Sequence, residues 1–204
     1  MLFSDSFYTA KTPSSGVFKD RESKFIGYAY PVKTEDEIKD HISNLKKEHV
    51  SARHFCYAWR LGSGGQGWRA NDDGEPNNSA GKPIYSQILS KDLTYVLVVV
   101  VRYFGGILLG VGGLVNAYKS AALEALLAAE ITEKFIYFQY NLIFDVHDAN
   151  AVLRTLKEMN AEILNQDYTQ HYTLLFNVKR SLSADLEEKL KPIYNAKLIY
   201  LQTL

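Results

Sequence analysis

Apolar and polar positions change period several times along the chain, and the changes mark out its elements. From Ser23 the run SKFIGYAYPV predicts a strand through Phe25, Ile26, Tyr28 and Tyr30, stopped near Pro31. Thr34 with Glu37 three positions on has capping-box spacing, and Ile38, Ile42 and Leu45 then recur as in a helix running to about Glu48. Alternation returns in RHFCYAWRL. It predicts a strand with an aromatic buried face (Phe55, Tyr57, Trp59, Leu61) and a more polar, less covered face (His54, Cys56, Ala58, Arg60).

GSGGQGWRANDDGEPNNSAG has no apolar period and reads as a loop or partly disordered lid. A short helix is expected from about Pro83, carrying Ile84, Ile88 and Leu89. YVLVVVVRYF is nearly continuous in β-branched residues, which suits a strand covered on both faces. From Gly112 or Gly113 a helical period takes over, with Leu114, Tyr118, Ala121, Ala122, Ala125 and Leu126 on one side.

The remainder reads as strand, helix, two strands divided near Gln170, helix capped by Ser183, and a last strand AKLIYLQTL. That βαββαβ order predicts a small antiparallel sheet with two helices on one face. The pattern divides the chain into domains at 1–132 and 133–204. In FIYFQYNLIFD, Phe135, Tyr137 and Gln139 alternate with Ile136, Phe138 and Tyr140, which gives one covered sheet face and one that could open. Core packing of these aromatics is the expectation, and an open face for stacking or docking is the alternative.

Composition narrows the function classes. Lys plus Arg and Asp plus Glu both number 23, so no overall charge draws the chain to nucleic acid or an anionic membrane. The single Cys56 excludes an intramolecular disulfide and fits a reducing, cytoplasmic setting. The N-terminus lacks the basic and apolar regions of a signal peptide, and no run suggests a membrane span. A soluble protein is expected.

The chemical candidates fall into two groups. Gly105 and Gly106 follow a strand and Gly112 and Gly113 open a helix, a context in which backbone amides can receive an anion. The spacing matches neither GxxxxGK[ST] nor GxGxxG, and close packing is the alternative. Arg102 ends the buried strand and must be paired or reach solvent. Joined by Asn116 and Lys119, with Arg53 and His54 contributed from another strand, it would form an edge for phosphate or RNA. An ion pair with Asp72, Asp73 or Glu75 is the alternative.

Those three carboxylates form the second group. In NDDGEP they could hold a divalent cation or serve a metal-dependent hydrolase or phosphoryl-processing reaction, or form only a solvated acidic turn. No other cofactor is indicated. His54 and Cys56 share a strand face but lack an orienting third group, so Cys56 reads as a buried cysteine. His49 is expected at its helix end.

DDGEPNNSAGKPIYSQI followed by VVVVRYFGGILLGVGGLVNAYKSA resembles the Impact family in its bacterial YigZ-like branch. Asp72, Asp73, Gly74, Glu75 and Pro76 match its acidic motif, and Gly81, Lys82 and Pro83 match the element after it. Arg102 to Gly106, Leu109, Gly110, Gly113, Leu114, Ala117 and Tyr118 match the signature segment. The resemblance covers most of the first 130 residues.

It implies an α+β protein, with a ribosomal protein S5 domain 2-like N-terminal domain and a ferredoxin-like C-terminal domain similar to the last domain of elongation factor G. Eukaryotic relatives regulate translation initiation in the Gcn1 and Gcn2 pathway through chains that also carry an RWD domain, which is not expected here. The expected function is nucleic-acid or ribosome association with a translation-regulatory role. The alternatives are the hydrolase and a protein-binding regulator without catalysis. The partners expected are therefore RNA, the ribosome or a protein, and not a membrane.

Overall fold

The computed structural model describes residues 5–168, 171–193 and 195–204. It is a mixed α+β protein whose contacts define two compact units, one spanning Phe7–Lys134 and the other Phe135–Leu204 with Asp5 and Ser6.

In chain order the first unit contains β1 (Ser6–Ala10), β2 (Ser14–Asp20), β3 (Ser23–Pro31), α1 (Glu35–Glu48), β4 (His54–Leu61), β5 (Gly67–Asn71), α2 (Gly81–Ser90), β6 (Val96–Tyr103), α3 (Gly110–Leu127) and β7 (Ile131–Phe135). Five strands form one antiparallel sheet in the order β2-β3-β6-β4-β5, while β1 pairs with β7. Strand β6 is central, and every residue from Val96 to Val101 is buried, as its β-branched run predicts. Each such valine contributes about 1.5 kcal/mol or more by leaving water.

The sheet is covered on both sides. Phe25, Cys56, Ala58 and the even-numbered valines of β6 pack against α2 and α3. Phe55, Trp59, Leu97, Val99 and Val101 pack with Ile38 and Leu45 of α1. In β4 the Cys56 and Ala58 side chains are fully buried in the larger core, whereas His54 and Arg60 on the same face are half-buried, as expected of its polar members. Helix α3 lies so close to β3 that a Cβ on Gly27 would collide with the backbone of Ala121.

Helix α1 begins as its capping-box spacing predicts. Thr34 Oγ1 accepts from Glu37 N at 3.2 Å, and Glu37 Oε2 accepts from Lys33 N at 2.7 Å. Acidic residues in its first turn and Lys46 and Lys47 in its last complement the helix dipole. Three regions differ from expectation. The polar N-terminal stretch contains β1 and β2, the proposed lid contains β5 paired with β4, and α3 begins at Gly110. Strands β2 and β5 lie at the sheet edges, where alternation with polar residues weakens the apolar signal.

The second unit contains β8 (Tyr137–Phe144), α4 (Ala149–Glu158), β9 (Glu162–Tyr168), β10 (Tyr172–Lys179), α5 (Ser183–Leu190) and β11 (Lys197–Thr203). The expected division near Gln170 falls outside the described residues, although the strands on either side of it are present. The sheet is antiparallel in the order β11-β8-β10-β9, a split βαβ arrangement. Tyr140, Leu142, Phe144, Leu174 and Phe176 form its core with Val152 and Leu156 of α4 and Leu186 of α5.

The long strand expected across Phe135 is two strands, β7 and β8, broken at Ile136. Ser183 does not cap α5, because its hydroxyl donates to the carbonyl of Arg180 at 2.8 Å. Core packing, the expected role of these aromatics, holds for the buried Ile136 and Tyr140, and the other face, the alternative site for stacking or docking, is crossed by a polar row. Gln202 donates to Gln139, Gln139 to Asn177, and Asn177 to Glu162, at 2.8, 3.2 and 3.3 Å.

Candidate functional site

Strand pairing sets Phe25, Arg102 and His54 side by side on β3, β6 and β4. The row faces α3, and the turn following β5 folds over it. That turn holds Asp72, Asp73 and Glu75, and each carboxylate takes a different job.

Asp72 serves the start of α2. The residue at that helix's cap position, Ala80, offers no side-chain acceptor. Asp72 Oδ1 instead accepts from Ala80 N and Gly81 N at 3.0 and 2.8 Å, and Oδ2 accepts from Asn78 N at 2.8 Å. A carboxylate there satisfies amides that lack helical partners and complements the positive end of the dipole. Asp73 Oδ2 accepts from Phe55 N at 2.7 Å, tying the turn to β4. His54 Nδ1 donates to the Asp73 carbonyl at 3.0 Å, so Nδ1 carries the proton.

Glu75 points inward. Its Oε1 accepts from Arg102 Nη1 at 2.6 Å and from Tyr118 Oη at 2.7 Å, and the Glu75 and Arg102 side chains are only 4% and 7% exposed. A buried pair of this kind is tolerated because each charge is met and hydrogen-bonded. Burial, followed by the neighbouring Cys56, drives the Tyr118 hydroxyl far above its usual pKa. Burial likewise pushes the Cys56 thiol up, and the thiol donates to the Asp72 carbonyl at 3.0 Å. Cys56 is thus the buried, protonated cysteine that its strand position predicts, not a nucleophile.

This geometry answers the acidic-loop hypothesis. The three carboxylates diverge to helix amides, a strand amide and a buried arginine. Among the described residues no group of three or more His, Cys, Asp and Glu side chains could hold a metal ion. The motif organises the fold: its carboxylates are taken up by these contacts and do not converge as a divalent-cation site or an acid–base pair would require.

The glycine-rich segment is also sorted by the structure. Gly105 N donates to Ser23 Oγ at 3.1 Å, and a Cβ on Gly105 would collide with the backbone of Glu22. Gly106 has φ of +90°, where side chains are strained. Gly112 and Gly113 lie in the first turn of α3. The segment thus crosses closely over the β2–β3 turn, from which Arg21 reaches the Leu108 carbonyl at 3.4 Å.

Of the predicted basic edge, Arg53, His54 and Arg102 line one open concavity of about 610 Å³, together with Phe104 and Leu108. Asn116 and Lys119 do not join it. Both are exposed on α3, whose opposite side places Leu114, Ala117 and Tyr118 in the core. Arg102 is buried and held by Glu75, which was the alternative reading of that residue.

Two features escaped the sequence. The turn between β6 and α3, with the first turn of α3, exposes four large apolar side chains: Phe104 at 56%, Ile107 at 49%, Leu108 at 82% and Val111 at 57%. Leu109, between them, points into the core. The second is His49, at the end of α1 as expected, whose ring bridges Tyr103 Oη at 2.7 Å and Tyr28 Oη at 2.8 Å. Burial raises the Tyr28 hydroxyl, and it pushes Tyr30 up to about 12.

The Impact N-terminal domain model matches residues 21–126, which hold the whole of this site. The chain is 31% identical to the Escherichia coli IMPACT family member YigZ over 188 residues, covering 91% of this chain and 92% of that one. It is 37% identical to the Bacillus subtilis IMPACT family member YvyE over 129 residues, covering 63% and 59% respectively. A crystal structure of a hypothetical protein superposes with a TM-score of 0.70 at 29% identity, covering 98% of this chain and 99% of that one.

Proposed function

This chain belongs to the Impact family, and from that premise we propose that it is a non-catalytic, protein-binding regulator in translation that docks its partner on the turn from Phe104 to Val111. The observation that carries the reading is the exposure of Phe104, Ile107 and Leu108 on one short turn and of Val111 at the start of α3 that follows it. Clustered exposed apolar side chains mark interaction surfaces, whereas scattered ones need no explanation. The turn is also braced, through Gly105 against the β2–β3 turn and through Leu109 in the core. A braced surface loses little conformational entropy on binding.

The same reading takes residues 1–132 as a ribosomal protein S5 domain 2-like domain and 133–204 as a ferredoxin-like domain akin to the last domain of elongation factor G. The βαββαβ order and the β11-β8-β10-β9 sheet support the second assignment. The translation setting comes from the family resemblance, and the working compartment is the cytoplasm. Among the described residues no helix is long and apolar enough to cross a membrane.

A second reading, contact with RNA or the ribosome, draws on the concavity shared by Arg53, His54 and Arg102. A photo-crosslinking residue at position 108 in the full chain separates the two. Protein adducts that survive nuclease treatment support docking on this turn. Adducts only to RNA, with filter binding that weakens steeply as salt rises, support the second reading.

A further inference from the structure

We propose that the concavity beside the Phe104 turn receives a single carboxylate from the partner polypeptide, carried on an acidic side chain with a large apolar neighbour. The inference rests on the protein-binding reading and names the chemistry that the partner must offer.

Arg102 supplies the argument. Its guanidinium lies between two rings, centred 5.5 Å from both Phe25 and Phe104. Nη1 is taken by Glu75, whereas the buried Nε has no hydrogen-bond partner. Buried donors are rarely left unmet, because each unmade bond carries the full cost of desolvation. With Nη1 engaged, the Nε–Nη2 edge is the side left for a planar two-oxygen acceptor, the fork geometry that arginine offers a carboxylate. Phe104 lies over this guanidinium and is itself more than half exposed, and Arg102 lines the open concavity from which a carboxylate would arrive.

Charge sets the number of anions at one. Arg102 and Glu75 cancel, and the exposed Arg53 on the same concavity leaves one positive charge to be met. A monoanion balances it, while a terminal phosphate would leave an excess negative charge against the buried Glu75. Leu108, exposed on the same rim, selects for an aliphatic neighbour of the carboxylate over a nucleotide. A polypeptide with an acidic and an apolar residue close together meets both demands.

The test reads the Nε–Hε NMR signal of Arg102 in the full chain as ligand is added. The probes are the peptide acetyl-Leu-Ala-Glu-Leu-amide, its Gln-for-Glu counterpart and a short single-stranded RNA. The expected result is a saturable shift with the Glu peptide, about tenfold weaker with the Gln peptide. Arg53→Gln, at an exposed position where folding is not at stake, should weaken the Glu peptide about threefold at low salt. A signal unmoved by the Glu peptide, equal binding of the two peptides, or a shift with RNA alone would each overturn the proposal. Protein crosslinks at position 108 that persist beside such a negative result would leave the docking reading standing and remove only the carboxylate.

Discussion

Arg102 Nη1 donates to Glu75 Oε1 across 2.6 Å, joining the end of the central strand to the acidic turn beneath α3. The DDGEP and RYFGG motifs are thereby two halves of one buried contact, with Tyr118 of α3 as its third member. Removing Glu75 strands a buried guanidinium. Glu75→Ala should cost about 3–5 kcal/mol of unfolding free energy in urea titration. Tyr118→Phe, which deletes one hydrogen bond to a charged group, should cost about 1.5–3 kcal/mol.

Asp72 acts at a different place. Asp72→Ala removes acceptors from the first amides of α2 and should cost about 1–2 kcal/mol. Hydrogen exchange should locate the effect, with faster exchange at Asn78, Ala80 and Gly81 while β6 remains protected.

Alkaline pH should weaken the fold through Cys56 and Tyr118. Both are raised in the folded chain, so both stay protonated there after the unfolded chain has begun to lose its protons. Their stabilising contribution is complete below the ordinary thiol and phenol values of 9.0 and 10.0 and declines as pH rises beyond them. Urea midpoints should therefore fall with pH from about 9 upward. Cys56→Ala combined with Tyr118→Phe should flatten the fall. At neutral pH Cys56 should react with a thiol reagent only as fast as the protein unfolds.

Gly27→Ala tests how closely α3 lies on β3. The added methyl meets the Ala121 backbone, which cannot turn aside as a side chain would, and the expected loss is about 1–3 kcal/mol by thermal or urea unfolding.

How far the sequence foretold this arrangement depended on where each residue's partner lay. Strand β6 was readable because burial on both faces demands an unbroken β-branched run, and α1 because Thr34 and Glu37 cap it locally. The faces of β4 were legible only in part: contrast between Cys56 and Phe55 implies one covered side, whereas helices cover both residues and leave His54 and Arg60 half-buried. Asp72's role lay hidden because the amides that it caps are eight and nine residues away. Glu75 was one of three named partners for Arg102, and only the path of the turn decides among them. Lys119 was misplaced by a single helical step, since its neighbour Tyr118 holds the buried side of α3. Exposure of Phe104 and Leu108 had no sequence signal, because apolar residues in a glycine-rich turn look equally suited to packing.

Docking of a protein partner on the apolar turn is tested most directly by capture of partners with the full chain, with and without Leu108→Glu, after nuclease treatment. Leu108 is 82% exposed, so the substitution should alter unfolding free energy by no more than about 0.5 kcal/mol. The predicted result is a protein partner retained by the parent chain and lost by the equally stable variant. A partner held equally by both, or one released from the parent by nuclease alone, would contradict it.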